Sequence, residues 1–395
     1  MNKKTIVSGV GCCLVDILYS DIDFGSEVIR PFLSRKNGDG GLIPGKLVFQ
    51  EEFENFCGIK VDGFITSITG AQVFDKINIG GPSIVSLINI AQLTADDNCE
   101  VRFYGKAGND QNGRYLTSAL AKTPVKLKQF TFVENRTPST VVLSDPEYDN
   151  GNGERMFINS IGAAWEFSPD DLNEEFYDSD IVVFGGTALV PQIHDNLSSI
   201  LKMAKSRSCT TVFNTVYDFR NEKSDPGRKW PLGDSEESYR YTDLLISDRE
   251  EALRLSGENS MDMAAEFFIG KKLTSFIITN GPEDILAYSD GRFFRPCALK
   301  YMPVSALIRK ELKNNRSGDT TGCGDNFTGG IIASVVKQFN NGIRRPDLTE
   351  ACSWGIVSGG FTCFYVGGTF FENNPGEKIA RIIPYYESYN RQISI

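Results

Sequence analysis

Short runs of consecutive apolar residues alternate along this chain with longer segments in which apolar residues recur every three or four positions. Residues 5–10, 180–184 and 276–279 are runs of the first kind, and residues 83–93 show the second pattern. Short apolar runs are typical of strands buried on both faces, and a spacing of three to four is typical of helices. The alternation therefore predicts βαβ units, and with them an α/β fold with a mostly parallel sheet covered by helices on both faces.

The same criteria predict the other regular elements. The predicted strands cover residues 5–10, 101–104, 140–143, 155–158, 180–184, 210–214, 244–247 and 276–279. The predicted helices cover residues 83–93, 113–121, 194–206, 250–256 and 325–339. Two segments interrupt the alternation: residues 20–79 have turn signals and few helix signals, and residues 215–240 are polar. Both are predicted to be loops or insertions on a single domain, since no linker divides the chain.

The charge balance argues against some classes of function. The formal net charge is -10 and no basic run occurs, which argues against binding to nucleic acid or to an anionic membrane surface. No apolar run reaches the ~18 residues that span a bilayer. A small anionic ligand is still compatible with this net charge if Mg²⁺ and backbone N–H groups neutralise the charge of the ligand locally.

Cysteine and histidine usage limits the available chemistry. The nine cysteines are scattered and form no CxxC pair, which favours a reducing, cytoplasmic location over a zinc site or a disulfide framework. The single histidine, His194, opens a predicted helix and is interpreted as a surface or capping residue. Lys3 and Lys4 before the apolar run at 5–15 resemble a short signal peptide, but the run is equally typical of a buried first strand.

The strongest local signal is the string Asp-Thr-Thr-Gly-Cys-Gly-Asp at residues 319–325, which leads directly into a predicted helix. Gly322 and Gly324 permit close approach to the backbone, and their N–H groups at a helix start can form an anion hole. Asp325 stands at the mouth of that hole, where a carboxylate can accept the proton of an attacking hydroxyl. The alternative is a glycine-rich turn in which Asp325 is an ordinary residue of the first helical turn.

Two other phosphate-binding motifs fail. Residues 40–46 match the first part of a Walker A loop, but Leu47 stands where Ser or Thr is required. The dinucleotide pattern GxGxxG is also absent, because Gly9 and Gly11 are followed by Leu14.

The string at 319–325 closely resembles the C-terminal signature of the ribokinase-like (PfkB) carbohydrate kinases, which have Ala where this chain has Cys323. Other segments resemble motifs of this family in the family's own order. They are Gly80-Gly81, residues 105–113, Gly153-Glu154-Arg155, Gly162-Ala163-Ala164, residues 248–251 and Thr279-Asn280-Gly281. The resemblance runs from about residue 5 to about residue 370, nearly the whole chain.

The resemblance implies a ribokinase-like three-layer α/β/α fold with a mostly parallel central sheet and a small β lid. Residues 1–395 would form one kinase domain, with lid and insertion segments at about 18–79 and 130–162. The activity implied is ATP-dependent phosphorylation of a hydroxyl on a sugar or sugar-like small molecule. Mg²⁺ is the implied cofactor, and a monovalent cation such as K⁺ activates some relatives.

The resemblance also assigns roles to individual residues. The catalytic group is the base Asp325 with the anion hole of Gly322, Cys323 and Gly324. The residues expected at the nucleotide are Thr279, Gly281, Thr320, Asp248 and Glu251, of which Asp248 and Glu251 would also place Mg²⁺. The residues expected at the substrate are Asp16, Gly80 and Gly81.

Several points depart from the family pattern or stay open. Val85 and Ala164 stand where the family usually has Asn residues that read sugar hydroxyls, so neither ribose nor fructose is assigned. Residues 248–251 are also explained by an acidic helix start, and Asp16 by a turn or cap. A nucleoside kinase and a non-catalytic ligand-binding member are the alternative functions. Residues 36–58 exceed the usual family length, and they could extend the lid, cover the substrate or form a homodimer contact.

Overall fold

The computed structural model describes residues 4–36, 38–70, 73–151, 153–314, 318 and 320–394, which fold into two β-sheets and the helices that cover them. The strands are β1 Thr5–Gly11, β2 Leu14–Tyr19, β3 Leu47–Phe49, β4 Lys76–Gly80, β5 Cys99–Gly108, β6 Lys126–Val133, β7 Ser139–Asp145, β8 Glu154–Ser160, β9 Ile181–Gly185, β10 Thr210–Asn214, β11 Leu244–Asp248, β12 Ser275–Thr279, β13 Ile285–Ser289 and β14 Cys297–Met302.

The helices follow the strands in the predicted alternation over most of the chain. They are α1 Gln50–Cys57, α2 Val61–Thr69, α3 Pro82–Leu93, α4 Gln111–Leu120, α5 Tyr148–Gly151, α6 Glu174–Tyr177, α7 Pro191–His194, α8 Leu197–Ser206, α9 Phe219–Ser224, α10 Arg249–Ser256, α11 Met261–Gly270, α12 Ala306–Leu312, α13 Cys323–Asn340, α14 Leu348–Thr362 and α15 Glu377–Ile393. Short 3₁₀ turns lie at Arg30–Phe32, Gly162–Glu166, Pro169–Asp171, Thr187–Leu189 and Glu236–Tyr241.

The larger sheet has the strand order β14-β13-β12-β11-β10-β9-β1-β5-β6, and all neighbours are parallel except at β13 and β14. The apolar run at the start of the chain forms β1, where Val7 pairs with Val101 on one side and Ile181 on the other. A strand between two others in a parallel sheet is buried on both faces, which explains why nearly every residue of β1 is buried.

Apolar side chains pack on both faces of this sheet. In β9, Ile181 and Val183 are buried against the helices that include α3 and α13, whereas Val182 and Phe184 are buried against those that include α8 and α10. Successive residues of a strand face opposite sides, so one strand contributes to two separate cores. The result is three layers, with helices above and below the sheet. Within the described ranges, no helix combines the length and the apolar character that crossing a bilayer requires.

The smaller sheet has the order β3-β8-β7-β2-β4, and β2 follows β1 after only two residues. Helices α1 and α2 cover one of its faces, where Met156 and Ile158 of β8 are buried in a cluster with Phe53 and Phe64. Because side chains alternate along a strand, Arg155 of β8 lies on the other face. We call this smaller sheet with α1 and α2 the lid.

Three predictions of local structure were wrong. Residues 20–79 contain the helices α1 and α2, each ended by a glycine in the left-handed conformation, Gly58 and Gly70. The predicted helix at 194–206 is two helices, α7 and α8. His194 is buried rather than at the surface, with Nδ1 2.9 Å from Thr187 Oγ1 and Nε2 3.2 Å from Asp218 Oδ2.

The packing of α2 against the lid can be tested with Phe64→Ala. Phe64 is fully buried, and its ring lies 4.7 Å from that of Phe32 and 4.8 Å from that of Phe53. Removing such a ring should lower the free energy of unfolding of the lid by ~3–5 kcal/mol because a cavity remains. Urea unfolding and limited proteolysis of residues 20–70 measure this loss.

Ile59→Ala, at an exposed position between α1 and α2, should change the free energy by less than ~0.5 kcal/mol. Equal effects of the two variants would show that the aromatic cluster does not hold the lid.

Candidate active site

The amino end of α13 presents backbone N–H groups to an open cleft. Gly322 caps the helix with φ +75°, and a Cβ there would overlap the backbone of Gly368. The Cys323 N–H donates to Thr320 O at 3.3 Å, whereas the Gly324 N–H has no acceptor among the described residues. A Cβ added at Gly324 would meet open space. The first turn of α13 is therefore exposed on the side that an anion would approach.

Asp325 lies in the first turn of the same helix. Its carboxyl group is half-buried, and removal from water raises its pKa to about 7, although a hydrogen bond with the Asn214 side chain opposes the shift. Asn214 ends β10, so the carboxyl ends of the central strands supply the partner of this carboxylate. A group with this pKa can accept a proton near neutral pH.

A cavity of about 560 Å³ opens beside the amino end of α13, a volume typical of small-molecule sites. Apolar and small residues form most of its wall, including Ile308, Phe327 and Ile356. Six residues predicted at the nucleotide or the anion hole also line it, namely Asp248, Thr279, Gly281, Thr320, Cys323 and Gly324. Glu251, the remaining residue of the predicted nucleotide group, does not line this cavity and is buried behind Asp248.

Asp248 and Glu251 form a capping box at the start of α10. The Asp248 carboxylate accepts from the Glu251 N–H at 2.8 Å, and the Glu251 carboxylate accepts from the Asp248 N–H at 3.1 Å and from Thr215 Oγ1. The alternative interpretation as an acidic helix start is thus correct for the local geometry. Burial, and then the charges of Asp248 and Asp325, raise the pKa of Glu251 to about 8. Three carboxyl groups therefore lie close enough to influence one another's ionisation, an arrangement that helix capping alone does not require.

The residues predicted at the substrate meet where the lid joins the larger sheet. A Cβ at Gly80 would overlap the Asp16 carboxylate, so glycine is needed for these two strands to pack. Gly81 caps α3 with φ +105°, and a Cβ there would lie 2.5 Å from Cys12 O. Cys12 is fully buried, and its pKa is raised by burial first and also by the charges of Asp16 and Asp325. Asp16 and Asp325 are therefore close enough to act on one thiol.

Polar residues run across the lid in register with Asp16. Asn78 and Thr140 pair with Asp16 on its two sides, and Asn159 pairs with Thr140. Residues in register share a face of the sheet. Asn159 Nδ2 donates to Thr140 Oγ1 at 3.0 Å, and the buried Asn159 Oδ1 has no hydrogen-bond donor among the described residues. The face of the lid that is not covered by α1 and α2 therefore carries a row of hydroxyl and amide groups.

Arg155 connects this face of the lid to the loop before α13. Its guanidinium donates to Thr321 Oγ1 at 2.6 Å, across 166 residues of sequence. Thr321 directly precedes Gly322. The contact therefore places a positive charge from the lid beside the N–H groups of α13.

A buried lysine supports the same turn from behind. Lys378 is 1% exposed, and its ammonium donates to Asn326 Oδ1 at 2.7 Å. Asn326 Nδ2 in turn donates to Gly322 O at 2.9 Å and to Gly368 O at 2.8 Å. Burial lowers the pKa of Lys378 from 10.5 to about 7, with a smaller opposing effect of Glu372. Burying an ammonium group costs free energy, so the presence of Lys378 here indicates a function beyond packing.

Six of the predicted site residues therefore line the cavity, and Gly322 and Asp325 lie in the adjoining turn of α13. Asp16, Gly80 and Gly81 lie together where the lid joins the larger sheet, and Glu251 lies behind Asp248. Asp319 of the string at 319–325 lies outside the described residues. The sequence reasoning missed Asn214, Arg155, Asn326 and Lys378. Asn214 had a recognisable signal, because a polar residue at the carboxyl end of an apolar parallel strand commonly belongs to a site. Arg155 belongs to the segment Gly153-Glu154-Arg155, which resembles a family motif, but no role in the site was predicted for it. Asn326 and Lys378 had no signal, since their roles depend on contacts between segments distant in sequence.

Comparison with known proteins finds similar sequences and folds. The model of the pfkB family of carbohydrate kinases matches residues 69–374, more than half of the chain. A 5-dehydro-2-deoxygluconokinase from Clostridium botulinum (strain Alaska E43 / Type E3) is 21% identical over 304 residues, which are 74% of this chain and 79% of that protein.

Solved structures share the fold. A ribokinase from Thermotoga maritima superposes with a TM-score of 0.60 at 18% identity, covering 99% of this chain and 100% of that one. An adenosine kinase from Sinorhizobium meliloti gives a TM-score of 0.67 at 19% identity, covering 96% and 99%. The prediction of a ribokinase-like α/β fold is thereby confirmed.

The role of Lys378 can be tested with Lys378→Met. Because the folded pKa of about 7 is below the ordinary 10.5, the folded chain binds fewer protons than the unfolded chain between these values. The contribution of Lys378 to stability should therefore rise as pH increases from about 7 to about 10.5, and the variant should lack that rise. Urea unfolding at several pH values measures the difference.

At pH 7 or below, Lys378→Met should lower turnover without lowering stability. Without the ammonium, Asn326 loses its donor and Gly322 its fixed position, so kcat should fall about tenfold or more, whereas stability at pH 7 or below should be kept or increased. Lys202→Met, at an exposed lysine, is the matched control and should change neither quantity. Identical pH dependence of stability in the wild type and Lys378→Met would contradict the burial of this charge.

Proposed function

We propose that this chain, which belongs to the pfkB family of carbohydrate kinases, transfers the γ-phosphoryl group of ATP to a sugar hydroxyl with Asp325 as the general base. One observation carries the proposal. A carboxyl group with a pKa of about 7 lies in the same helical turn as N–H groups that face an open cleft, between the cavity and the lid.

Proton transfer is the task proposed for Asp325. Its ionised carboxylate accepts the proton of the acceptor hydroxyl as the oxygen attacks phosphorus. The Asn214 side chain, which hydrogen-bonds to this carboxylate, orients it and keeps its pKa from rising further. Asp16 lies on the substrate side of Asp325, and we propose that it binds the acceptor through hydroxyl hydrogen bonds.

Charge stabilisation is the task proposed for the first turn of α13. The N–H groups of Gly322, Cys323 and Gly324 lie at the positive end of the helix dipole and are directed at the transferring phosphoryl oxygens. The Cys323 N–H contributes least in the geometry described, because it already bonds to Thr320 O. Arg155 adds a positive charge from the lid when the lid is closed on Thr321.

ATP and a divalent cation, usual for kinases of this family, fit the residues present. The 560 Å³ cavity ends at Gly324, so a nucleotide bound there directs its phosphates to the anion hole. Among the described residues, no three acidic, cysteine or histidine side chains form a closed metal group. Mg²⁺ does not need one, since it keeps several waters and takes one or two carboxylates with the phosphates. Asp248, which lines the cavity, would hold the ion or its waters, and Glu251 would support Asp248 from behind through the capping box. The ion would neutralise phosphate charge.

A polyhydroxylated acceptor suits the polar row on the lid. Thr140, Asn159 and Asn78 flank Asp16, and they offer donors and acceptors in place of the two Asn residues that Val85 and Ala164 replace. The buried Asn159 Oδ1 in particular has no donor among the described residues. We therefore favour a sugar or sugar acid as the acceptor over a nucleoside. The base of a nucleoside would have to lie against the polar face of the lid.

A panel of acceptors tests the function directly. Purified protein with ATP and Mg²⁺ is assayed for ADP release with sugars, sugar acids and nucleosides, with and without K⁺. Turnover of sugars or sugar acids supports the proposal, and turnover of nucleosides alone would favour the nucleoside kinase. Binding of ligands without turnover of any acceptor would favour the non-catalytic alternative. Any response to K⁺ reports on the predicted monovalent cation, and gel filtration reports on a homodimer through the lid.

Asp325→Asn should remove the base and keep the shape of the site. The expected loss in kcat is ~100- to 10,000-fold, with the ATP analogue still raising the melting temperature. Stability at pH 8 should be equal or higher, because burial disfavours the charged carboxylate in the wild type. Asp62→Asn, at an exposed helical position, is the control. Full activity of Asp325→Asn with a proven acceptor would exclude this assignment.

The pH dependence of kcat/KM gives a second test of Asp325. Its pKa of about 7 predicts that kcat/KM rises tenfold per pH unit below pH 7 and levels off above it, since only the ionised carboxylate accepts a proton. Asn214→Ala removes the hydrogen bond that lowers this pKa, so the rise should move to higher pH. Thr328→Val removes the other hydrogen-bond partner of Asn214 and should leave the rise in place. A profile that is the same in Asn214→Ala and the wild type would show that another group titrates.

A further inference from the structure

Two cysteine thiols meet at the wall of the nucleotide cavity. Cys323 is the first residue of α13, and Cys363 directly follows the last residue of α14. Their sulfur atoms are 3.3 Å apart, both residues are half-buried, and neither is part of a disulfide. Both residues line the 560 Å³ cavity, so a reagent can reach the pair from the cleft. This is a dithiol within the proposed anion hole.

The two helices already lie close enough for a covalent link. A disulfide has a sulfur–sulfur distance of ~2.05 Å, so the sulfurs must approach by about 1.2 Å from their separation of 3.3 Å. The backbones are in contact at this point, because a Cβ at Gly359 of α14 would lie 2.9 Å from Cys323 O. Small movements of the side chains and of the first turn of α13 therefore suffice.

We propose that Cys323 and Cys363 are a redox modification site, at which a low-molecular-weight disulfide such as oxidised glutathione converts the two thiols into a reversible intramolecular disulfide that switches off phosphoryl transfer. The loss of turnover rests on the function proposed above. The formation of the disulfide does not.

The reaction is a thiol–disulfide exchange in two steps. The Cys323 sulfur, after losing its proton, attacks one sulfur of the small disulfide, whose sulfur–sulfur bond breaks and whose other half leaves as a thiol. The Cys363 sulfur, also deprotonated, then attacks the Cys323 sulfur of the mixed disulfide and releases the second small thiol. The two cysteines lose two electrons and two protons, and the small disulfide gains both and becomes two thiols.

The position of Cys323 explains why the disulfide would stop turnover. Cys323 lies between Gly322 and Gly324, whose N–H groups face the transferring phosphoryl group in the proposed mechanism. The new bond draws this turn towards α14 by a distance of the order of 1 Å, and a misplacement of ~1 Å at a reacting centre can lower the rate about 100-fold. The link also crosses the wall of the cavity in which the nucleotide would lie, so bound nucleotide should protect the thiols.

The dithiol is a feature of this chain rather than of the family signature. The signature has Ala at the position of Cys323, and a chain with Ala there cannot form the bond. The other cysteines supply a matched control, because Cys57 is a half-buried thiol at the end of α1 in the lid.

The experiment treats the reduced full-length protein with oxidised glutathione, with and without a non-hydrolysable ATP analogue. Disulfides are located by peptide mass mapping, and the rate is measured before oxidation, after oxidation and after reduction with dithiothreitol. Cys323→Ala, Cys363→Ala and Cys57→Ser are treated in the same way. Each protein is compared with its own reduced form, so differences in basal activity between the variants do not enter.

The expected result is a Cys323–Cys363 disulfide in the wild type and in Cys57→Ser, with a rate at least tenfold lower that dithiothreitol restores. The ATP analogue should slow the formation of the disulfide, and Cys323→Ala should keep its rate. Cys363→Ala, which lacks the second thiol, should stop at the mixed disulfide between Cys323 and glutathione. Absence of this disulfide would overturn the proposal, and so would a disulfide that leaves the rate unchanged or a loss that persists in Cys323→Ala.

A failure of the proposed function stays distinguishable. If no acceptor is phosphorylated, the mass map still decides whether the disulfide forms. The stabilisation of the fold by the ATP analogue then replaces the rate as the readout. In that case, oxidation should abolish the rise in melting temperature in the wild type and leave it in Cys323→Ala, and an unchanged rise in the oxidised wild type would overturn the proposal.

Discussion

Negative charge held partly out of water is the constraint on which the rest of the site depends. Asp325, Asp248 and Glu251 lie close enough that burial and mutual repulsion raise the pKa of Glu251 to about 8, and burial raises that of Asp325 to about 7. These groups cannot all ionise unless positive charge is nearby. The amino end of α13 and Arg155 from the lid supply part of it, and a divalent cation with the nucleotide would supply more. Binding of substrates and ionisation of the base are therefore linked.

A short segment after α14 joins the parts of the site. Lys76 of β4 donates to Val366 O at 3.0 Å, and the side chain of Asn78 contacts Gly367. The next residue, Gly368, packs against Gly322 at the anion hole. The lid strand that carries Asn78 and the turn that would hold the phosphoryl group are thus connected through three consecutive residues. Because interiors are close-packed, closure of the lid and placement of the amides at α13 can be expected to change together.

The additional residues near the start of the chain belong to the lid. β3 pairs with β8 at its edge, and α1 and α2 bury one of its faces, so the insertion at 36–58 extends the lid rather than forming a separate unit. An ion pair between Glu52 of α1 and Lys223 of α9 also connects the lid with the segment after β10. A homodimer through the lid stays a prediction, and it would have to use surfaces other than the face that these helices cover.

The sequence by itself determined the alternation of strands and helices, the glycine-rich turn before α13 and the position of Asp325, because these depend on local periodicity and on spacing within a few residues. The sequence did not determine the helices at 50–69, since their stability comes from packing Phe53 and Phe64 against the lid, nor the burial of His194. Only the tertiary structure brought Arg155, Asn214 and Lys378 to the turn at Gly322, and only the crossing of α13 with α14 placed two thiols 40 residues apart within 3.3 Å. Contacts between distant segments depend on how whole helices and strands pack. A local pattern along the sequence does not show which distant segments come together.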